Sequence, residues 1–155
     1  MNTKNALFLC TGNYYRSRYA EILFNWHAQE SGLEWRSVSR GLEPHAANPG
    51  PMSRHTMAAL QQLGIPFDHY LRLPLAVTAG DFQAAQHIVA VKEAEHRPMI
   101  QRMFPTWLEK VEFWHVHDLD CAQPEEAIPH LDREVAALLK RLSLAGEQPR
   151  KMRLG

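Results

Sequence analysis

Short apolar runs alternate with longer segments of helical periodicity along this chain. The first run lies within residues 5–9, suits a buried strand, and precedes the turn residues Gly12 and Asn13. Over residues 17–31, apolar side chains recur at helical spacing, and Gly32 follows them. Because glycine commonly ends a helix, this pattern predicts a strand followed by a helix.

The alternation continues towards the C-terminus. Pro129 is expected in the first turn of the last helix, because proline inside a helix would break it. Strands that alternate with helices indicate one α/β domain with helices on both faces of a parallel sheet. Further strands are predicted over residues 35–39, 87–91 and 111–116, further helices over residues 53–63, 81–86 and 93–103, and a final helix by the apolar stripe Leu131, Val135, Leu138, Leu139 and Leu142.

Composition narrows the class of protein. The 155 residues fit one domain, for which we expect residues 1–145, followed by a basic peripheral tail of residues 146–155. Seventeen basic and seventeen acidic residues cancel, so no nucleic acid or membrane partner is expected. No apolar run is long enough to span a bilayer, and the start lacks signal-peptide features. Only two cysteines are present, which favours a reduced, cytoplasmic location.

The segment between the first strand and the first helix carries the most specific pattern. Backbone N–H groups of such a loop can converge on an anion, and the helix dipole adds positive potential. The same field favours the ionised thiolate of Cys10, and Arg16 is placed to bind two phosphate oxygens. This phosphate loop, residues 10–17, reads Cys10-Thr11-Gly12-Asn13-Tyr14-Tyr15-Arg16-Ser17, and all positions after the cysteine are predicted to bind phosphate.

These residue types suit attack of a thiolate on phosphorus. Cys10 would form a phosphocysteine, which water then hydrolyses, so that one difficult step becomes two easier ones. The hydroxyl of Ser17 can stabilise the sulfur when it leaves. The alternative is that neither residue is catalytic: Cys10 would be a buried cysteine at the end of a strand, and Arg16 a solvated residue at the start of a helix. The position after a strand, with Gly12 and Asn13 inside the loop, favours the catalytic interpretation.

The phosphate loop, followed by Ala20 and Glu21, resembles the signature of the low-molecular-weight protein tyrosine phosphatase family. Weaker matches follow in order at Ser39-Arg40-Gly41, at Gly64-Ile65-Pro66, and at His69 and Arg72. The resemblance implies a doubly wound four-stranded parallel sheet and hydrolysis of a phosphate monoester. It also implies that Asn13, Ser17, Ser39 and His69 support the loop by hydrogen bonds.

A proton donor for the leaving group is also required. The family has an aspartate just after the last strand, and Asp118 follows the last predicted strand here. In doubly wound sheets the loops at the carboxyl ends of strands converge on one crevice, which would bring Asp118 to Cys10. We therefore predict Asp118 as the third catalytic residue, with Asp120 as the alternative.

Several positions depart from the family. Tyr15 stands where many members have a second cysteine, so the usual protective disulfide cannot form. Arg18 replaces a common proline, and Lys92 stands where the family often has aspartate; both are expected to balance the charge of Asp120 near the mouth. We leave open whether the substrate is a phosphotyrosine protein, a phosphoarginine protein or a small phosphomonoester.

Two other functions remain alternatives. Arsenate reductases use the same loop with additional thiols, and Cys121 is the only other cysteine that could pair with Cys10. A non-catalytic phosphoanion-binding module is the second alternative. His115 and His117 share one strand face as a possible chelating pair, but Leu119 breaks the expected metal motif. No metal or organic cofactor is therefore predicted.

Overall fold

The computed structural model describes residues 3–118 and 123–154, the last nine of these by their backbone alone. Four strands and five α-helices follow one another in the predicted alternation, with two short 3-10 helices at Asp68–Tyr70 and Pro105–Lys110. The strands are β1 (Lys4–Cys10), β2 (Trp35–Gly41), β3 (His87–Ala90) and β4 (Val111–Phe113), and the helices are α1 (Arg16–Glu30), α2 (Arg54–Gln62), α3 (Ala79–Ala84), α4 (Glu93–Met103) and α5 (Pro124–Leu154).

The sheet has the order β2-β1-β3-β4, and every strand pair in it is parallel. Strand β1 therefore lies between two neighbours, and residues 6–10 are fully buried. The register places Cys10 opposite Gly41 at the carboxyl edge of the sheet. This arrangement confirms the predicted four-stranded parallel α/β fold, and it brings the end of β1 to the crevice where ligands bind in such folds.

Each face of the sheet packs against its own set of helices. On one face, Phe8 packs with buried side chains of α1 and α5, including Phe24 and Leu131. On the other face, Leu7 and Leu9 belong to a second cluster that contains residues of α3 and α4. Alternate residues of β1 thus enter opposite cores, as expected for a central strand covered on both sides.

Local signals set several helix ends. Ser53 caps α2, because its Oγ accepts the backbone N–H of His55 at 3.1 Å. Such a cap contributes about 1 kcal/mol. Gly32 and Gly64, which follow α1 and α2, have φ angles of +70° and +72°, in the left-handed region that ends helices. Both glycine stops were predicted from the sequence, and both are confirmed.

Two boundary predictions were wrong. Strand β4 ends at Phe113 rather than residue 116, although the backbone N–H of Val116 still donates to Val91 at 2.8 Å. Helix α5 begins at Pro124, so Pro129 is its sixth residue and lies beyond the first turn. Pro124 takes the position where a missing N–H costs nothing, and the helix accepts the second proline one turn later.

The backbone of residues 146–154 continues α5 as a helix. Among the described residues, no helix is both long and apolar enough to cross a membrane.

Candidate active site

The phosphate loop connects the last residue of β1 to the first turn of α1. Asn13 has a φ angle of +52°, in the left-handed region that asparagine tolerates better than most residues. Gly12, the turn residue before it, has no positive φ angle. One left-handed residue is therefore enough to curl the chain between the sheet and the helix.

The sulfur of Cys10 lies inside this curl, and the residue is 2% exposed. The backbone N–H of Asn13 points at the sulfur, with an N···S distance of 3.3 Å, and Ser17 Oγ lies 3.0 Å from it. The Cys10 thiol donates to Ser17 Oγ, which also accepts the side-chain amide of Asn13 at 3.0 Å. The Asn13 N–H is thus directed at the sulfur, and the Ser17 hydroxyl lies within hydrogen-bond distance of it.

The side chain of Asn13 holds the loop in this conformation. Its Nδ2 donates to Ser39 Oγ at 2.9 Å as well as to Ser17. Its Oδ1 accepts hydrogen bonds from Arg72 Nη1 and from the Leu75 backbone N–H, both at 3.0 Å. Both protons of the amide and both lone pairs of its oxygen are therefore used, which fixes the orientation of the side chain.

The end of β2 lies directly against the loop at Gly41. A Cβ atom at this position would lie 2.8 Å from the Thr11 carbonyl oxygen and 3.0 Å from the backbone nitrogen of Asn13. Any larger residue would therefore displace the phosphate loop. The neighbouring N–H groups of Leu42 and Glu43 donate to the carbonyls of Cys10 and Thr11 at 2.9 and 2.8 Å. Gly41 is needed for this close approach.

Arg16 is 2% exposed, and its guanidinium is held from two directions. Nη1 donates to the Val116 carbonyl at 3.0 Å, and Nη2 donates to Glu95 Oε2 at 2.9 Å. Burial opposes its charge, but the negative charges of Cys10, Glu95 and Asp118 raise the pKa of Arg16 above its ordinary value. The guanidinium is therefore a permanent cation beside the sulfur.

Asp118 reaches the same pocket from the far edge of the sheet. Its Oδ2 lies 3.5 Å from Arg16 Nη2, and its side chain is 41% exposed. The described lining of this pocket includes Cys10, Tyr14, Arg16, Glu95 and Asp118. Asp120, the alternative acid, lies outside the described residues, as does Cys121.

The sequence pattern of the family described as low molecular weight phosphotyrosine protein phosphatase matches residues 5–146 of this chain. The match covers the phosphate loop, the end of β2 and Asp118. The chain belongs to this family. The resemblance carried by the phosphate loop and by the weaker matches after it is therefore confirmed over nearly the whole described structure.

Solved structures of phosphatases share the fold. A low-molecular-weight phosphotyrosine phosphatase from Vibrio cholerae is 20% identical, with a TM-score of 0.77 over 92% of this chain and 99% of that chain. The YwlE arginine phosphatase of Bacillus subtilis is 22% identical, with a TM-score of 0.73 over 95% of this chain and 98% of that chain. At these identities the likeness shows the fold alone.

Curated relatives match a shorter stretch. An arsenate reductase of Bacillus subtilis is 40% identical over 65 residues, which make up 42% of this chain and 41% of that protein. The matches span less than half the length of these arsenate reductases.

Among the described residues, His69 makes no hydrogen bond to the phosphate loop, contrary to the prediction. It is exposed and packs against the ring of Tyr70, with 4.4 Å between ring centroids. Arg72, three residues later, supports the loop instead by donating to the side-chain oxygen of Asn13 and to the Ser39 carbonyl. Its longer side chain reaches the loop from the surface segment that follows the 3-10 helix. Asn13, Ser17 and Ser39 are all in the supporting network.

Glu95 and His96, which lie at the start of α4, were not predicted as site residues from the sequence. The signal available was their position just after β3, because residues there face the crevice of a doubly wound sheet. Burial opposes the ionisation of Glu95. Hydrogen bonds from His96, Arg16 and Thr11 nevertheless lower the pKa of Glu95 far below its ordinary value.

Arg18 does not lie at the mouth of the pocket, where it was expected to balance Asp120. It is fully buried and donates to the carbonyls of Pro51 at 3.1 Å, Arg72 at 3.2 Å and Tyr70. Burial lowers the pKa of Arg18 to about 10, so it is still charged at neutral pH. It therefore connects two surface loops beneath the site.

Tyr15, at the position of the second cysteine in many members, is buried. Burial and the nearby charge of Asp118 raise the pKa of Tyr15 to about 12, so it is neutral. His115 is 70% exposed, and among residues 3–118 and 123–145 no three histidine, cysteine or acidic side chains gather as metal ligands would.

Proposed function

We propose that this protein hydrolyses phosphate monoesters through a phosphocysteine on Cys10. One observation carries the proposal: the Cys10 sulfur, held by the Asn13 N–H and Ser17, faces a pocket that also contains Arg16 and Asp118. A pocket that only bound anions would need neither a nucleophile nor an acid. The family match supports the same chemistry.

In the first step, the Cys10 thiolate attacks phosphorus in line with the ester bond. The S–P bond forms as the P–O bond breaks, and Asp118 gives its proton to the leaving oxygen. In the second step, Asp118 takes a proton from water, whose oxygen attacks phosphorus. The S–P bond breaks, inorganic phosphate leaves, and the thiolate is restored, stabilised by the Ser17 hydroxyl.

The phosphoryl group would be held by the backbone N–H groups of residues 11–17 and by the guanidinium of Arg16. These donors would face the position where negative charge gathers in the transition state, which is where fixed dipoles have most effect. This assignment gives each residue of the phosphate loop a role without a metal or an organic cofactor.

For the substrate, we propose a phosphorylated protein or a small phosphomonoester, with phosphotyrosine protein as the first candidate. Phosphoarginine is the second, because the fold is shared with an arginine phosphatase. The proposed location is the cytoplasm, which fits a free catalytic thiol. The family match ends at residue 146, which supports a domain of residues 1–145 and a tail of residues 146–155.

The test is the hydrolysis of para-nitrophenyl phosphate by the wild type, Cys10→Ser and Cys121→Ser. We expect Cys10→Ser to lose at least about 10⁴-fold in kcat, because a serine hydroxyl is not ionised in this pocket. Cys121→Ser, a matched change at the other cysteine, keeps the wild-type rate. Rapid acid quenching of the wild type traps the phosphoenzyme. Hydrolysis by Cys10→Ser at the wild-type rate contradicts the mechanism, and vanadate binding without any hydrolysis supports the non-catalytic alternative.

Arsenate reduction is the second candidate, favoured by the curated relatives. Reduction of arsenate to arsenite needs two electrons, which two thiols supply by forming a disulfide. Cys10 and Cys121 would have to form that pair. Thiol consumption that depends on arsenate and disappears in Cys121→Ser supports this function, and its absence in the wild type excludes it.

A further inference from the structure

A carboxylate that has no part in the proposed chemistry lies next to the catalytic arginine. Glu95 Oε2 accepts a hydrogen bond from Arg16 Nη2 at 2.9 Å, and the Glu95 side chain is 28% exposed where it lines the pocket. Asp118 is farther from the same nitrogen, at 3.5 Å. Glu95 is therefore the nearer anionic partner of Arg16.

Glu95 is itself held in place by neighbouring polar groups. The Thr11 hydroxyl donates to Glu95 Oε2, and His96 Nε2 lies 3.2 Å from the same oxygen. The Lys92 backbone N–H donates to His96 Nδ1 at 3.1 Å, so the ring proton is on Nε2 and points towards Thr11 and Glu95. Burial lowers the pKa of His96, which keeps the ring neutral. The carboxylate thus has three donors around one oxygen.

These contacts determine where the Arg16 guanidinium points. Nη1 is bound by the Val116 carbonyl and Nη2 by Glu95, so the plane of the guanidinium is fixed by two partners on different elements. We infer that Glu95 is a positioning residue, which orients Arg16 for the phosphoryl group from helix α4. The inference rests on the proposed phosphatase function, whose mechanism assigns no role to Glu95.

A charged positioning residue has opposite effects on two kinds of ligand. Glu95 is negative, so it repels a phosphate dianion in the pocket and weakens ground-state binding. It also fixes the arginine, which matters most when charge moves onto the phosphoryl oxygens in the transition state. Removing the charge should therefore weaken binding of a transition-state analogue more than binding of phosphate. Simple loosening of the fold would weaken both ligands alike.

The experiment measures vanadate and inorganic phosphate binding by calorimetry, together with kcat and KM on para-nitrophenyl phosphate. For Glu95→Gln, we expect kcat and vanadate affinity to fall about tenfold or more, the effect of losing one charge-assisted hydrogen bond. Phosphate affinity should change by less than about threefold. Glu93→Gln, a matched change on the same helix whose side chain pairs with Arg97, should behave as wild type on all four measures.

Thr11→Val provides a second variant in case Glu95→Gln does not fold. It removes one donor to the carboxylate, and we expect a smaller fall in the vanadate-to-phosphate affinity ratio, about threefold. A wild-type ratio in every folded variant overturns the inference. Because this ratio is measured by binding, it is independent of turnover: a wild type that binds both anions but hydrolyses nothing refutes the proposed function and leaves the positioning test standing.

Discussion

Cys10 and Arg16 of the phosphate loop are enclosed by protein, whereas Asp118 stands at the open side of the same pocket. Cys10 and Arg16 are each 2% exposed, and Asp118 is 41% exposed. The loop is held by Asn13, whose side chain contacts α1, β2 and the segment after the 3-10 helix. The only ion-pair partner of Asp118 among the described residues is Arg16, which is itself part of the phosphate loop.

This difference fits the different roles that we propose for the two parts. Stabilising a phosphoryl group requires donors that are fixed before the reaction, because reorganisation during it would raise the barrier. A proton donor must instead exchange with water between the two steps, so exposure suits it. The enclosed part should therefore tolerate almost no change in shape, and the open part should fail only where a proton is needed.

The largest expected effect comes from breaking the enclosed part at Arg16. Arg16→Lys keeps the charge but cannot bind Val116, Glu95 and phosphate at once, so we expect kcat/KM to fall about 10³-fold. Arg97→Lys, an exposed arginine of α4, is the matched control and should keep the wild-type value. Hydrolysis of para-nitrophenyl phosphate measures both, and an Arg16→Lys variant within tenfold of wild type argues against the described geometry.

The second effect separates the open part from the enclosed one. Asp118→Asn should slow hydrolysis of phenyl phosphate about 10²- to 10³-fold, but slow para-nitrophenyl phosphate much less, because a good leaving group needs little protonation. Asp68→Asn, at an exposed 3-10 helix, should change neither rate. An equal loss on both substrates speaks against an acid role for Asp118, and would direct attention to Asp120.

The third effect tests which residue supports the loop. Arg72→Gln removes the donors to Asn13 and Ser39, and we expect kcat/KM on para-nitrophenyl phosphate to fall about tenfold. His69→Gln should leave kcat/KM within twofold of wild type, a change of about 0.4 kcal/mol in activation free energy at most. The reason is that Tyr70 is the only ring partner described for the imidazole. The reverse order of effects would mean that the histidine holds the loop.

The smallest effect on catalysis is expected at Glu112. This residue of β4 pairs with Arg141 of α5, and Asp118 lies between these two elements in the sequence. Burial opposes its charge, but hydrogen bonds from His87, Arg141 and Trp114 lower the pKa of Glu112 below its ordinary value of 4.5. Ionised Glu112 therefore stabilises the fold above pH 4.5, and this contribution disappears as the pH falls through the lowered pKa.

Glu112→Gln should lower Tm at neutral pH by about 3–6 °C with little change in kcat. The difference from wild type should shrink as the pH falls below 4.5, which thermal unfolding across a pH series measures. Glu109→Gln, in the exposed 3-10 helix before β4, is the control and should show no such pH-dependent gap.

Most of the enclosed part could be predicted from the sequence, because it is a continuous segment. Cys10, Asn13, Arg16 and Ser17 act on one another across a few residues, so their spacing already carries the geometry. The strand before them and the helix after them were visible in the apolar pattern for the same reason. Contacts between residues that are close in the sequence can therefore be predicted from their spacing.

The contributions from distant segments were harder to predict. His69 and Arg72 are three residues apart, and only the course of the chain decides which side chain reaches Asn13. Glutamate is a common residue type on helix surfaces, so nothing in the sequence distinguishes Glu95. Its role depends on a contact with Arg16 across the sheet edge. Arg18 follows the catalytic motif directly, but its direction is set by carbonyls of two loops that the apolar pattern does not describe.

The buried guanidinium of Arg18 has a consequence for engineering this enzyme. Residues 49–53 and 70–72 border the site as separate surface loops, yet both place carbonyl oxygens on that one side chain. A loop transplanted from another phosphatase to alter substrate preference would have to present a carbonyl at the same point. Otherwise the buried guanidinium would keep a hydrogen-bond donor without an acceptor. Chimeras that exchange the two loops together, with Arg18 retained, should therefore fold more often than those that exchange one.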